Sequence, residues 1–264
     1  MTTKRPFLVN LWRWAIMFTV SLYLLTPLAA MLDFSTKIGR GHRGLYAWKA
    51  IFQQPDLIAS IFTSLELALI VVVGVFMLVV PTVVWVHLKL PRLRRPLELI
   101  CLLPLAFPAI VLVVGVARTY LWISIHISES PLTLAAVYLV LILPYSYRSI
   151  AAALNSVDVH TLAEAARTLG ASTARVLFGI VMPTIRAGVM SAAVISIALV
   201  LGEYTIASLL NFQTMQVSIN LIGQQDASIA VAVSLASLIF VFVLLAILPT
   251  SSGRRTKVLE STES

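Results

Sequence analysis

An all-α, polytopic membrane fold is what this sequence predicts, and three observations predict it. The chain of 264 residues is 59% hydrophobic and only 11% charged, with a mean hydropathy of +0.97. A water-soluble domain covers itself with far more polar surface than that. The apolar residues fall in runs of about twenty, the length at which a helix crosses a hydrocarbon core of ~30 Å. Lys and Arg collect in the segments between the runs. Lipid offers no hydrogen-bond partner to a backbone, so each run is expected to be a helix.

Six spans follow, over residues 12–32, 60–86, 97–122, 131–150, 186–210 and 228–249. The first comes after Lys4, Arg5 and Arg13. Its apolar run is long for a cleaved leader, although Leu28-Ala29-Ala30 is not far from a small-residue cleavage site, so it reads as a retained helix that also starts insertion. The segment 33–59 carries Gly39, Gly41 and Gly44 and reads as a mostly irregular outer loop. Pro91 and Pro96 mark turns in a short basic loop over 87–96. Pro104 and Pro108 are expected to kink the third span. Residues 145–185 form a connection of some 40 residues, rich in helix formers and too polar for lipid, and a structured loop of that length is usually functional. The chain divides into residues 1–59 (tail, first span, outer loop), a five-span core over 60–250, and a polar tail over 251–264 expected to be disordered.

The net charge is +8. Of the 19 Lys and Arg, all but Lys37, Arg40, Arg43, Lys49 and Arg118 fall in one alternating set of segments. The positive-inside rule makes that set cytoplasmic, with both termini inside. The same distribution assigns the basic run Lys89–Arg95 to anionic lipid and argues against nucleic acid. Cys101 is the single cysteine, which excludes an internal disulfide. His42, His87, His126 and His160 have no ligand spacing, so no metal site is expected. Trp12, Trp14, Trp48, Trp85 and Trp122 lie at or near span ends, as interface anchors do.

The loop after the fourth span reads NSVDVHTLAEAARTLG from Asn155 to Gly170, then ASTARVLFGIVMP to Pro183. Thr161 and Glu164 fit a capping box, with Asp158 as a rival cap. Leu162, Ala165, Ala166 and Leu169 share one helical face, and its alanines let another surface come close. Gly170 suits the left-handed position that ends a helix. Ser172 can cap a second short helix running through Phe178, and Pro183 marks the turn into the fifth span. Two short surface helices are therefore expected.

Glu164-Ala165-Ala166, then Gly170 after three residues, Ile180 after nine more and Pro183, resembles the EAA loop of ABC importer permeases, whose pattern ends in Leu-Pro where this chain has Met182-Pro183. Less sharply, Leu103 to Gly115, Leu143 to Arg148 and Leu201 to Ser208 are similar to the spermidine/putrescine branch and its iron(III), sulfate and phosphonate relatives. The likeness covers roughly residues 60–250. It implies the permease of a type I importer in a bacterial inner membrane, with the EAA loop as the coupling helix between spans four and five. Glu164, Ala165, Ala166, Arg167, Leu169, Gly170, Ala171, Ile180 and Pro183 are then the docking loop.

The implied partners are two ATP-binding cassette subunits, a second permease (a heterodimer is favoured over a homodimer) and an extracytoplasmic substrate-binding protein. The chain has no G-x-x-x-x-G-K-[ST] loop. It is therefore read as a transport subunit without a catalytic site, and ATP and Mg belong to the partner ATPase. Polyamine is the favoured cargo; iron(III), thiamine, phosphonate and other small anions are the alternatives. An ion-coupled secondary carrier is the rival class, but it needs ionisable groups at mid-depth and usually a repeated half.

Glu203, with Tyr204 beside it, and Pro104 with Pro108 are the candidates for a translocation path, because an intramembrane carboxylate usually faces a pore or a partner. Glu66 reads as an interfacial residue, and Arg118 as one that snorkels or pairs.

Overall fold

The computed structural model describes residues 6–38 and 42–252. Lys4, Arg5, Gly39, Arg40, Gly41, Arg254, Arg255 and Lys257, with the expected disordered tail beyond Ser252, lie outside them. The regular structure of the described residues is helical apart from one antiparallel two-residue ladder, Lys37–Ile38 with His42–Arg43. Five helices are long and apolar enough to cross a membrane, and a sixth span forms if the bent pair Thr173–Thr184 and Arg186–Gly202 is counted as one. The all-α polytopic fold class is thus observed. The contacts separate two units: residues up to 55 with 219–238, and residues 56–218 with 239 onward.

In the first unit a helix over Pro6–Thr36 carries the first apolar run. Its side chains, among them Trp12, Trp14, Phe18 and Tyr23, are exposed, as lipid-facing groups must be. The loop after it is not irregular. The helix runs on to Thr36, the ladder turns the chain, and a short helix covers Tyr46–Ile51. Asp33 ties the turn together through Lys37 and Arg43, and the Trp48 indole N–H donates to Ser35 Oγ at 3.3 Å.

In the second unit the first helix is Pro55–Lys89, longer at both ends than expected. It contains a π-helical turn at Val75–Val79, just ahead of Pro81. Proline has no N–H to give the carbonyl four residues back, and a widened turn is one way a helix absorbs that loss. Leu67, Val71, Val75 and Val84 from this helix are fully buried against Leu134, Tyr138, Ile142 and Ile150.

The third expected span, 97–122, is two elements. A helix over Arg94–Leu102 passes into a 3₁₀ turn at Leu103–Ala106, Phe107 is extended, and a fresh helix covers Ala109–His126. Phe107 precedes Pro108, and the proline ring forces its neighbour out of the helical region. The prolines therefore break the span where a kink was expected. The fourth span continues beyond residue 150 to Asn155. The fifth ends at Gly202, eight residues short of the expected end at 210: Glu203 is extended, and a five-residue helix follows at Thr205–Leu209. A further helix, Met215–Gly223, precedes the last one, Ala227–Ser252.

Helices Pro131–Asn155 and Arg186–Gly202 pack most closely. A Cβ on Gly188 would lie 2.4 Å from Ala153 Cβ and 2.8 Å from the Ser149 carbonyl oxygen. The Ser149 hydroxyl donates to the Gly188 carbonyl at 2.9 Å. Small residues let helix backbones meet in this way in membranes, where no hydrophobic force holds helices together.

Candidate functional site

The loop between Asn155 and Arg186 is built from local signals. Asp158, the rival cap, is the one used: its carboxylate accepts from the Thr161 N–H at 3.2 Å and the Thr161 hydroxyl at 2.6 Å. The Thr161–Glu164 capping box does not form, because the helix begins earlier, at Val159, and Thr161 lies inside it. The Thr161 hydroxyl, and after it the Thr161 N–H, hold the Asp158 carboxyl below its ordinary range.

The helix ends at Thr168 in a Schellman closure. The Gly170 N–H donates to the Arg167 carbonyl at 2.9 Å and the Ala171 N–H to the Ala166 carbonyl at 3.0 Å. Gly170 has φ +81°, the conformation that glycine adopts at least cost. Ser172 Oγ then accepts from the Arg175 N–H at 3.3 Å and starts the second segment.

That segment runs past Phe178, through a π-turn at Leu177–Val181, to Thr184. Here too the π-turn stands just before a proline, Pro183. The chain then bends by 74° into Arg186–Gly202.

One face of the first loop helix is closed. Val159, Ala163 and Ala166 are buried, and the second segment adds Val176 and Val181. The expected flat face is therefore split, since Ala166 turns inward. Leu162, Glu164 and Ala165 are exposed, and Leu169 is 88% exposed. Gly170 and Pro183 are exposed, while Arg167, Ala171 and Ile180 are half-buried. Leu169 thus lies bare beside the exposed Ala165 and Glu164.

Sequence reading missed how the loop is fastened. Arg94 donates to the His87 carbonyl at 2.6 Å and meets His160 Nε2 at 2.8 Å, so that nitrogen accepts. The rings of His87 and His160 are 5.9 Å apart. This joins the first turn of the loop helix to the end of helix Pro55–Lys89, and nothing in the spacing of two distant histidines signals it.

At the other end of the fifth span, Glu203 has three donors. The Ile206 N–H reaches Oε1 at 2.8 Å, the Ala207 N–H reaches Oε2 at 3.3 Å, and the Tyr138 hydroxyl donates to Oε2 at 2.8 Å. The carboxylate thus caps the helix Thr205–Leu209, much as Asp caps an N-terminus. Tyr204 is exposed. Pro104 is buried and Pro108 exposed at their own break, where their carbonyls accept from Phe107 and from Val111 and Leu112. Glu66 and Arg118 are both exposed.

Nearby, a cavity of about 510 Å³ is lined by Tyr120, Ser124, Glu129, Asn211 and Phe212 among others. Tyr120 and Phe212 meet edge to face at 6.1 Å.

Residues 87–251 match the family described as the binding-protein-dependent transport system inner membrane component. No individually curated protein matches the chain.

Proposed function

The chain belongs to the family of binding-protein-dependent transport system inner membrane components, a family of transport membrane subunits, and from that footing we propose which parts of it do the work. It is a multi-pass permease subunit of an ABC-type importer and assembles in the membrane with ATPase and substrate-binding partners. The finer reading is that segment Val159–Thr184 is the coupling element that seats in a cleft on one nucleotide-binding subunit. One observation carries it: the EAA-type residues sit on a self-closed pair of helices whose outer side leaves Leu162, Glu164, Ala165 and Leu169 bare. A surface that completes its own core and still exposes leucine has a partner to cover it.

In this reading two ATPases, each holding ATP and Mg, serve two permeases, with a heterodimer favoured. Residues 60–250 are the permease core, and both termini are cytoplasmic in a bacterial inner membrane. Closure of the ATPases moves the docked segments, and the packed helices turn as units to expose the path to either side. The rigid Gly188 contact and the Arg94 fastening support transmission from loop to spans. Glu203 serves the path as a positioning residue, holding the break at Tyr204.

For the cargo we favour a polyamine. The likeness to that branch supports it, and so does the cavity that brings the Glu129 carboxylate and the Tyr120 and Phe212 rings together, groups suited to an ammonium.

Two measurements test the reading. In the purified complex, Glu164→Lys or Gly170→Asp should abolish stimulation of ATP hydrolysis by loaded binding protein while leaving subunit yield intact; full stimulation in both variants contradicts docking. Uptake of labelled spermidine should fall on Glu129→Gln, and uptake of an anion alone would reject the polyamine assignment.

A further inference from the structure

Apart from the exposed residues Leu162, Glu164, Ala165 and Leu169, the loop also walls a cavity. It has a volume of about 310 Å³ and is walled by Val84 and Leu88 from helix Pro55–Lys89 and by Val176 and Leu177 from the segment after Gly170. Lys89 and Arg167 line it too, and no acidic residue does. The Arg167 Nε is buried and has no hydrogen-bond partner. Neither Lys89 nor Arg167 forms an ion pair with a carboxylate among the described residues. Trp85, 65% exposed, stands on the same rim, as tryptophan does at headgroup level.

We propose that this slot binds an anionic phospholipid, with an acyl chain between the two helical walls and its phosphate held by Lys89 and Arg167. Three features choose this occupant. The walls are hydrocarbon and come in part from the end of a membrane-crossing helix, where Trp85 stands on the rim, so an acyl chain that reaches in from the headgroup level meets apolar side chains. Two uncompensated cations call for an anion, and a buried guanidinium nitrogen without an acceptor is costly until one arrives. An acidic side chain of a protein partner would satisfy the cations but leave the apolar slot unfilled. A lipid seated there touches the residues on both sides of Gly170 and braces the turn from behind.

The test is native mass spectrometry on the full-length chain, with the subunits that accompany it, from nanodiscs of equal phosphatidylglycerol and phosphatidylethanolamine. Phosphatidylglycerol should be retained selectively. Lys89→Gln and Arg167→Gln should each lower its retention about fivefold, the worth of one cation near an anionic headgroup. Leu88→Trp, or Leu177→Phe if the first variant fails to assemble, fills the slot with both charges intact and should abolish retention. Equal retention of the two lipids, or unchanged retention in the charge variants, overturns the proposal. So does displacement by inorganic phosphate alone, which would give the cations to a free anion.

Discussion

Two glycines show how differently two regions of this chain are made. Gly188, where helices Pro131–Asn155 and Arg186–Gly202 cross, has a backbone carbonyl and a methyl group inside the space that any side chain would need. Gly170, in the loop joining those helices, has open space around it and is required for its φ of +81° alone. The first contact is finished within the chain. The second presents a turn whose outer surface nothing among the described residues covers. Packing is completed internally at the span crossing, while the turn at Gly170 stays exposed.

The comparison breaks most severely at the crossing. Gly188→Val should cost well over the ~1–3 kcal/mol of ordinary overpacking, because a backbone oxygen cannot move aside. The yield of monodisperse membrane protein should collapse, and even Gly188→Ala should lower it. Next comes Glu203→Ala, which strips an acceptor from two backbone N–H groups and a buried tyrosine. A loss of about 1–3 kcal/mol is expected, read as a lower melting temperature in detergent; Tyr138→Phe should show a smaller drop.

Gly170→Ala should cost about 1–2 kcal/mol, from backbone strain alone. Its melting temperature should fall by only a few degrees while transport coupling weakens, whereas Gly188 variants are lost at assembly. The smallest effect is expected from Asp158→Ala, which should fray the first turn of the loop helix. The Asp158 carboxyl is held below its ordinary range in the fold, so its cap is present above the ordinary carboxylate range and is lost as pH falls through the lowered one. The protection factor of the Thr161 amide should therefore fall in acid in the wild type and show no such acid step in the variant.

The spans were legible because hydropathy and length are summed over many residues. The loop was legible because Ser172 and Gly170 act within a turn of themselves. What sequence did not reveal was decided by competition or by distance. Asp158 won over Thr161 because two caps three residues apart, less than one turn, can each start the helix, and the earlier start buries Val159. Pro104 and Pro108 were legible as a disturbance but not as a full break, which needed Phe107 to be extended. Glu203 looked like an intramembrane charge because its donors, the Tyr138 hydroxyl and the N–H groups of a helix not foreseen, come from the fold. The Arg94–His160 fastening was invisible for the same reason.

The central claim is that the segment Val159–Thr184 is covered by a nucleotide-binding subunit. A photo-crosslinking amino acid placed at Leu169, irradiated in the intact complex in its native membrane, tests it most directly. The account predicts an adduct with an ATP-binding chain, lost when Glu164→Lys is added. An adduct with lipid alone, or with the extracytoplasmic binding protein, would contradict it.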